Sequence, residues 1–163
     1  MKRKVVYNAG YGGYSFSPLA IKKFYELEYP NTPIYIYKRE PSDSHSSHYI
    51  LIDNIEEYSG SITAMNVVCL NKYFGNEFTI KYYDRVSESS EMDLIRRFNS
   101  SMIHTDLPNV QRHNENLVKV VEELGDKANS SISNLKIYDV GELAYHIDEY
   151  DGLESILTSD EWH

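Results

Sequence analysis

Lys4-Val5-Val6-Tyr7-Asn8-Ala9-Gly10-Tyr11-Gly12-Gly13-Tyr14-Ser15-Phe16-Ser17-Pro18 runs from a β-rich segment through a glycine-rich loop into the start of a helix. Val5, Val6 and Tyr7 suit a strand. The glycines at 10, 12 and 13 serve a loop that needs positive φ or close backbone approach. Ser17 is a helix cap, and Pro18 at the first helical position lacks an N–H that would go unsatisfied there in any case. Leu19, Ala20, Phe24 and Leu27 then recur at helical spacing, with Lys22, Lys23 and Glu26 left for solvent. Pro30 ends that helix after Tyr29. Ile34-Tyr35-Ile36-Tyr37 is the next strand, so residues 4–38 have the length of a strand–helix–strand unit.

Outward from this unit, Pro41-Ser42-Asp43-Ser44-His45-Ser46-Ser47-His48 has little to bury and reads as a mobile loop. Tyr49 to Ile52 is a short apolar strand, and Ile55 to Tyr58 a turn of helix. Residues 64–70 and 78–83 read as strands, with Phe78, Ile80 and Tyr82 alternating on one face. Leu94, Ile95, Phe98 and Met102 suggest a short helix. Asn114 caps a stronger one, whose stripe is Leu117, Val118, Val121 and Leu124, with Gly125 at its end. Residues 135–140 and 144–150 are strands, and Asp151-Gly152 is a hairpin-turn dipeptide leading into 153–157. Strands outnumber helices without alternating strictly with them. The expectation is one α+β domain over 1–163, with a mostly antiparallel or mixed sheet and two to three helices packed on it.

The chain has 163 residues, a net charge of −9 and one cysteine, Cys69. One cysteine excludes an intrachain disulfide and a thiolate-cluster metal site. No apolar run approaches a membrane span, and the basic start Met1-Lys2-Arg3-Lys4 is followed by too little apolar sequence for a secretory signal, so a soluble protein of a reducing cytoplasm is expected. The acidic total argues against binding polymeric nucleic acid or an anionic membrane over the whole surface. Charge is nonetheless polarised. Residues 1–40 hold Lys2, Arg3, Lys4, Lys22, Lys23, Lys38 and Arg39 against three glutamates, whereas 139–163 hold eight acids and no Lys or Arg. An anionic ligand would prefer the first region. Fifteen tyrosines fit either a binding surface or the codon bias of an AT-rich genome.

The two ends carry longer patterns. The KVVYN and YGGYSFS segments within 4–17, together with VVEELGDKANSSISNLKIYDV and IDEYDGLESI within 120–156, resemble a family of small proteins encoded by bacteriophages and large DNA viruses. The resemblance implies a viral accessory protein acting in the host cytoplasm or in association with the virion, and it carries no assigned activity. The chain departs from the family pattern at Gly10, where a cysteine is common, at Tyr14, where phenylalanine occurs, and at Asn114-Glu115, which replaces an aspartate–proline pair. A nucleophilic thiol at position 10 is therefore not open to this chain.

The candidate ligand-binding residues are Asn8, Gly10, Tyr11, Gly12, Gly13, Tyr14, Ser15 and Ser17. A strand, a glycine-rich turn and a helix N-terminus together present free N–H groups and partial positive charge, which suits a small anionic ligand or a nucleotide. Tyr11, Tyr14 and Phe16 would stack on a base, and Lys22 and Lys23 lie one turn in. The Walker lysine and the third glycine of a dinucleotide fingerprint are both missing, and the alternative is a tight turn whose aromatics enter the core. Lys38 and Arg39 would meet a ribose phosphate only if their strand were parallel and adjacent to the first. Arg112-His113 offers one more anion contact. The second reading is a protein–protein interaction module, host-directed or virion-associated, using the tyrosines and the acidic C-terminal hairpin, whose edge also offers pairing in a homodimer. The third is a hydrolase or transferase using His146 and Asp148, which alternation places on one strand face. Asp43, His45 and His48 have metal-ligand side chains in a weak arrangement. These patterns favour binding over catalysis and name no cofactor.

Overall fold

A computed structural model describes residues 3–43, 45–54, 67–82, 85–103 and 110–161. The expected α+β architecture is present, with every strand pair antiparallel. Strand β1 (Arg3–Asn8) pairs with β7 (Leu135–Gly141). Strands β2 (Tyr35–Asp43), β3 (Ser46–Leu51), β4 (Val67–Leu70), β5 (Glu77–Lys81) and β6 (Met102–Ile103) form a sheet in the order β5-β3-β2-β4-β6. Strands β8 (Tyr145–Tyr150) and β9 (Leu153–Thr158) form a hairpin. The helices are α1 (Pro18–Glu28), α2 (Ser89–Ser101) and α3 (Glu115–Leu124).

Strand alternation sorts the apolar side chains into three clusters. Val6, Ile36 and Cys69 turn toward α1 and α3, where they meet Phe16, Ile21, Phe24, Leu117 and Val121. On the other face of the five-stranded sheet, Tyr37, Tyr49 and Leu70 pack with Phe98 of α2. Val5, on the opposite side of β1 from Val6, packs with Val140 and Ile156 under the C-terminal hairpin. Both faces of β1 are thus buried, which explains the continuous apolar pair at its centre.

Local signals hold where they are strongest. Ser17 caps α1 by accepting from Ala20 N–H, and Asn114 caps α3 by accepting from Leu117 N–H. Gly125 ends α3 at φ 58°. Asp151 and Gly152 turn the hairpin at φ 52° and 87°, the left-handed pair that a two-residue hairpin demands.

Three expectations need correction. The strand–helix–strand order exists, but β1 and β2 lie in different sheets, so Lys38 and Arg39 are not beside β1. Within 41–48, Pro41 pairs opposite Ser47 and Asp43 opposite Ser46, so these residues belong to β2 and β3. Ser46 and Ser47 are buried there between β2 and β5, since a small hydroxyl side chain suits a strand interior that tighter pairing covers. Met102 lies beyond α2, exposed, and begins β6. The turn of helix expected at 55–58 lies outside the described residues. Among those described, no helix is long and apolar enough to cross a membrane.

Candidate functional site

The glycine loop leaves the end of β1 and is fixed there by Asn8, which is fully buried. Its Nδ2 donates to the carbonyls of Gly10 and Gly152, both at 2.7 Å. Its Oδ1 accepts from Asn134 N–H at 2.8 Å and Gly10 N–H at 3.3 Å. A side-chain amide has two donors and two acceptor positions, and all four are used. Asn8 therefore ties three distant segments together: the loop, the turn at 152 and the approach to β7. Ala9 N–H adds a bond to the Asn134 carbonyl at 2.8 Å.

Beneath this joint lies an ion pair. Arg112 binds Glu154 through two parallel bonds of 2.8 and 2.9 Å, both side chains largely buried. The pair closes the side of β1 that β7 leaves open. Val6 N–H donates to the Arg112 carbonyl, the Val6 carbonyl accepts from the Arg112 guanidinium, and Asn8 N–H donates to Glu154 Oε1 at 2.8 Å. Buried backbone groups must be satisfied, and here a carboxylate and a guanidinium replace a neighbouring strand. The Arg112 guanidinium carbon also lies 3.4 Å from the centre of the Tyr14 ring, which meets Phe16 edge-on.

An open cleft of about 390 Å³ remains between the loop and the hairpin, lined by Gly13, Tyr14, Arg112, Ile147, Glu149 and Glu154, with Gly152 at its end. Glu149 and Glu154 stand directly opposite each other in the β8–β9 ladder. Arg112 neutralises Glu154. Glu149 accepts from Gly152 N–H at 2.7 Å and makes no ion pair among the described residues, the one arginine of the cleft lining being bound to Glu154. The cleft thus has a residual negative charge.

The sequence-derived residues divide accordingly. Asn8 and Ser17 are buried frame. Ser17 N–H donates to the Ala128 carbonyl, and its hydroxyl both accepts from Ala20 N–H and donates to the Lys127 carbonyl. With Pro18, Leu19 and Ala20 buried as well, the start of α1 is sealed under residues 127–128. Ser15 bonds Ser130 at 2.6 Å. Gly10 sits against Asn134, and Gly12 lies on the backbone of Ile132. Gly13 and Tyr14 line the cleft, whereas Tyr11 is not among its lining residues and is 66% exposed. Lys22 lies elsewhere, among Ile34, Ile36 and Asp53. His146 and Asp148 do meet, at 3.3 Å, on the exposed face of β8. Neither lines the loop cleft, nor the larger groove of about 810 Å³ beside α3. His48 is engaged by Thr79 and Glu77. Sequence reasoning missed Glu154, although an acid in phase with Ile156 on the inward face of a strand is a signal that a buried partner exists.

Two expected results follow from buried groups. The Tyr14 hydroxyl is buried with no hydrogen-bond partner among the described residues. Tyr14→Phe should therefore leave neutral-pH stability unchanged or raise it by up to about 1 kcal/mol, measured by denaturant unfolding. Burial, opposed by Arg112, raises the Tyr14 phenol far above its ordinary 10.0. The unfolded chain then ionises first. The stability from the neutral phenol is complete below pH 10.0 and falls as pH rises toward the folded value, and Tyr14→Phe should flatten that alkaline decline. Cys69 is fully buried, and its thiol is pushed up to about 12 by desolvation. A thiol reagent at about pH 8 should label it only on unfolding.

Compared with protein-family models, curated proteins and solved structures, the chain matches none.

Proposed function

We propose that this protein is a binding module rather than an enzyme, and that it meets a protein partner at the end where the glycine loop and the C-terminal hairpin join. The observation that carries this reading is a rim of exposed apolar side chains on a fully bonded frame. Tyr11, Ile132 and Tyr150 are 66%, 50% and 79% exposed. Gly12 lies against the Ile132 carbonyl and Gly152 against the Tyr11 carbonyl, so all three belong to one joint. Tyrosines held rigidly at a surface give contact area at little entropic cost, which suits a protein interface. Viral origin and a host or virion partner are part of this reading and rest on the terminal motifs alone.

The competing reading is a small anion or nucleotide at the loop. Arg112 beside Tyr14 favours it. The charge of that arginine is already matched by Glu154, and the neighbouring Glu149 opposes an anion.

One pair of measurements separates them. Thermal unfolding against a panel of nucleotides and simple phosphates should show no shift, whereas a bound ligand at about 100 times its dissociation constant would add roughly 2.7 kcal/mol. Quantitative affinity capture from host extract should enrich proteins with the wild-type chain and lose them with a Tyr11→Ser/Tyr150→Ser variant that unfolds at the same temperature. A nucleotide shift that Tyr11→Ser removes, with no partner lost, would overturn the proposal.

A further inference from the structure

Among the described residues β8 pairs with β9 alone. Its turn decides which backbone groups face the open side. A two-residue turn makes Tyr150 and Leu153 the closing hydrogen-bonded pair. The bond from Ser159 N–H to the Ala144 carbonyl continues the same phase. The N–H and C=O groups of His146, Asp148 and Tyr150 therefore go to β9, and those of Tyr145, Ile147 and Glu149 point away from it. The contrast with β1 is instructive, because there the outward groups of Val6 and Asn8 are closed by Arg112 and Glu154.

Charge selects what the open side accepts. At this hairpin Arg112 matches Glu154 and Arg3 lies over the Tyr145 ring, which leaves Asp148, beside His146, with Glu149 and Asp151 as the carboxylates toward the tip. Asp148, on the outer face, and Glu149, turned toward the cleft, are both exposed, and Asp151 marks the tip. A second copy of β8 brings its own Asp148, Glu149 and Asp151 to the same edge, an added negative charge that disfavours strand-to-strand pairing in a homodimer. A basic strand meets the opposite situation. Beside Asp148 on the same face, Tyr150 offers an exposed ring over which a Lys or Arg can lie, and Ile147, just before Asp148 on the other face, offers an apolar contact.

We infer that the outer edge of β8 takes an extended, basic polypeptide segment of a partner as an added strand. Main-chain bonds form with Tyr145, Ile147 and Glu149, while alternate basic side chains lie beside Asp148 and Tyr150 on one face and the apolar side chains between them lie over Ile147 on the other. This rests on the binding-module reading and names the chemistry of its partner.

The probe is a short end-blocked peptide of alternating Lys and Val, titrated into the full chain by calorimetry, with backbone amide shifts followed by NMR. Binding is expected at low ionic strength, weaker by about tenfold in high salt, with the largest shifts at Tyr145, Ile147 and Glu149. Methylating the peptide nitrogens that face β8 should abolish binding while leaving its charge intact. Asp148→Lys should weaken it by about tenfold with the fold retained. An alternating Glu and Val peptide should not bind. The inference is overturned if no Lys and Val peptide binds at low salt, if the methylated peptide binds as well as its parent, or if the shifts fall on residues 11–13 instead. In each of those cases the module reading survives as long as the Tyr11→Ser/Tyr150→Ser variant still loses captured partners, so the two failures are distinguishable.

Discussion

Glu154→Ala is expected to destabilise the protein by about 3–5 kcal/mol, because removing one partner of a buried ion pair strands the other charge. The cost has three sources at named atoms. The Arg112 guanidinium loses both short bonds, of 2.8 and 2.9 Å, while remaining largely buried. Asn8 N–H loses its acceptor in a fully buried position. The side of β1 that Arg112 and Glu154 jointly close then opens to water at Val6. Arg112→Ala should cost a comparable amount, and the double variant should cost clearly less than the two losses added, since each single change already removes the shared interaction. Glu154→Gln keeps an acceptor for Asn8 but not the charge, so it should fall between wild type and Glu154→Ala. Denaturant midpoints at constant slope provide the measurement. A Glu154→Ala loss within about 0.5 kcal/mol, the range of an ordinary surface substitution, would show that the pair does not close the strand edge.

That pair also shows where a single sequence stops being informative. The helices with caps, the Asp151-Gly152 turn and the strand at Lys4 to Tyr7 were legible, because each depends on residues within a few positions of one another. The partner of β1 was not. Its ladder mate β7 lies at the far end of the chain, and the apolar pair Val5-Val6 would suit any neighbour. The strand–helix–strand spacing left open whether β1 and β2 share a sheet, and α1 hands the chain from one sheet to another. Asn8, Gly10 and Gly12 carried a signal of close backbone approach that the sequence left open between a ligand and a tight turn. Here the structure places the chain itself, at Asn134, Ile132 and Gly152, against that backbone. Polar residues misled at 41–48, since Ser46 and Ser47 look solvent-loving until two neighbouring strands cover them. Local chemistry specified that these positions were special, and only tertiary pairing specified for what.

Gly12→Ala is the sharpest test of that distinction, and it is expected to destabilise the protein by about 2–4 kcal/mol, the range of severe local overpacking. A Cβ at position 12 would stand 1.9 Å from the Ile132 carbonyl oxygen and 2.7 Å from its carbon, so backbone must move. Gly13 provides the control. A Cβ there meets nothing within 4 Å, and its only penalty is the left-handed φ of 102°, worth about 1–2 kcal/mol for a residue with a side chain. Gly152→Ala combines both costs, with φ 87° and a Cβ 2.3 Å from the Tyr11 carbonyl. The expected order of damage is therefore Gly152, then Gly12, then Gly13, read from thermal or denaturant unfolding. Ligand binding in the cleft would show instead as affinity lost on Gly13→Ala, at a glycine that lines the cleft, with stability changed no more than its φ requires. The same series reports on function, because Gly12 and Gly152 set the spacing between Tyr11, Ile132 and Tyr150. Under conditions where each variant is folded, Gly12→Ala should weaken partner capture by displacing that rim, whereas Gly13→Ala should leave it intact. Equal capture by both would mean that the rim does not act as a unit.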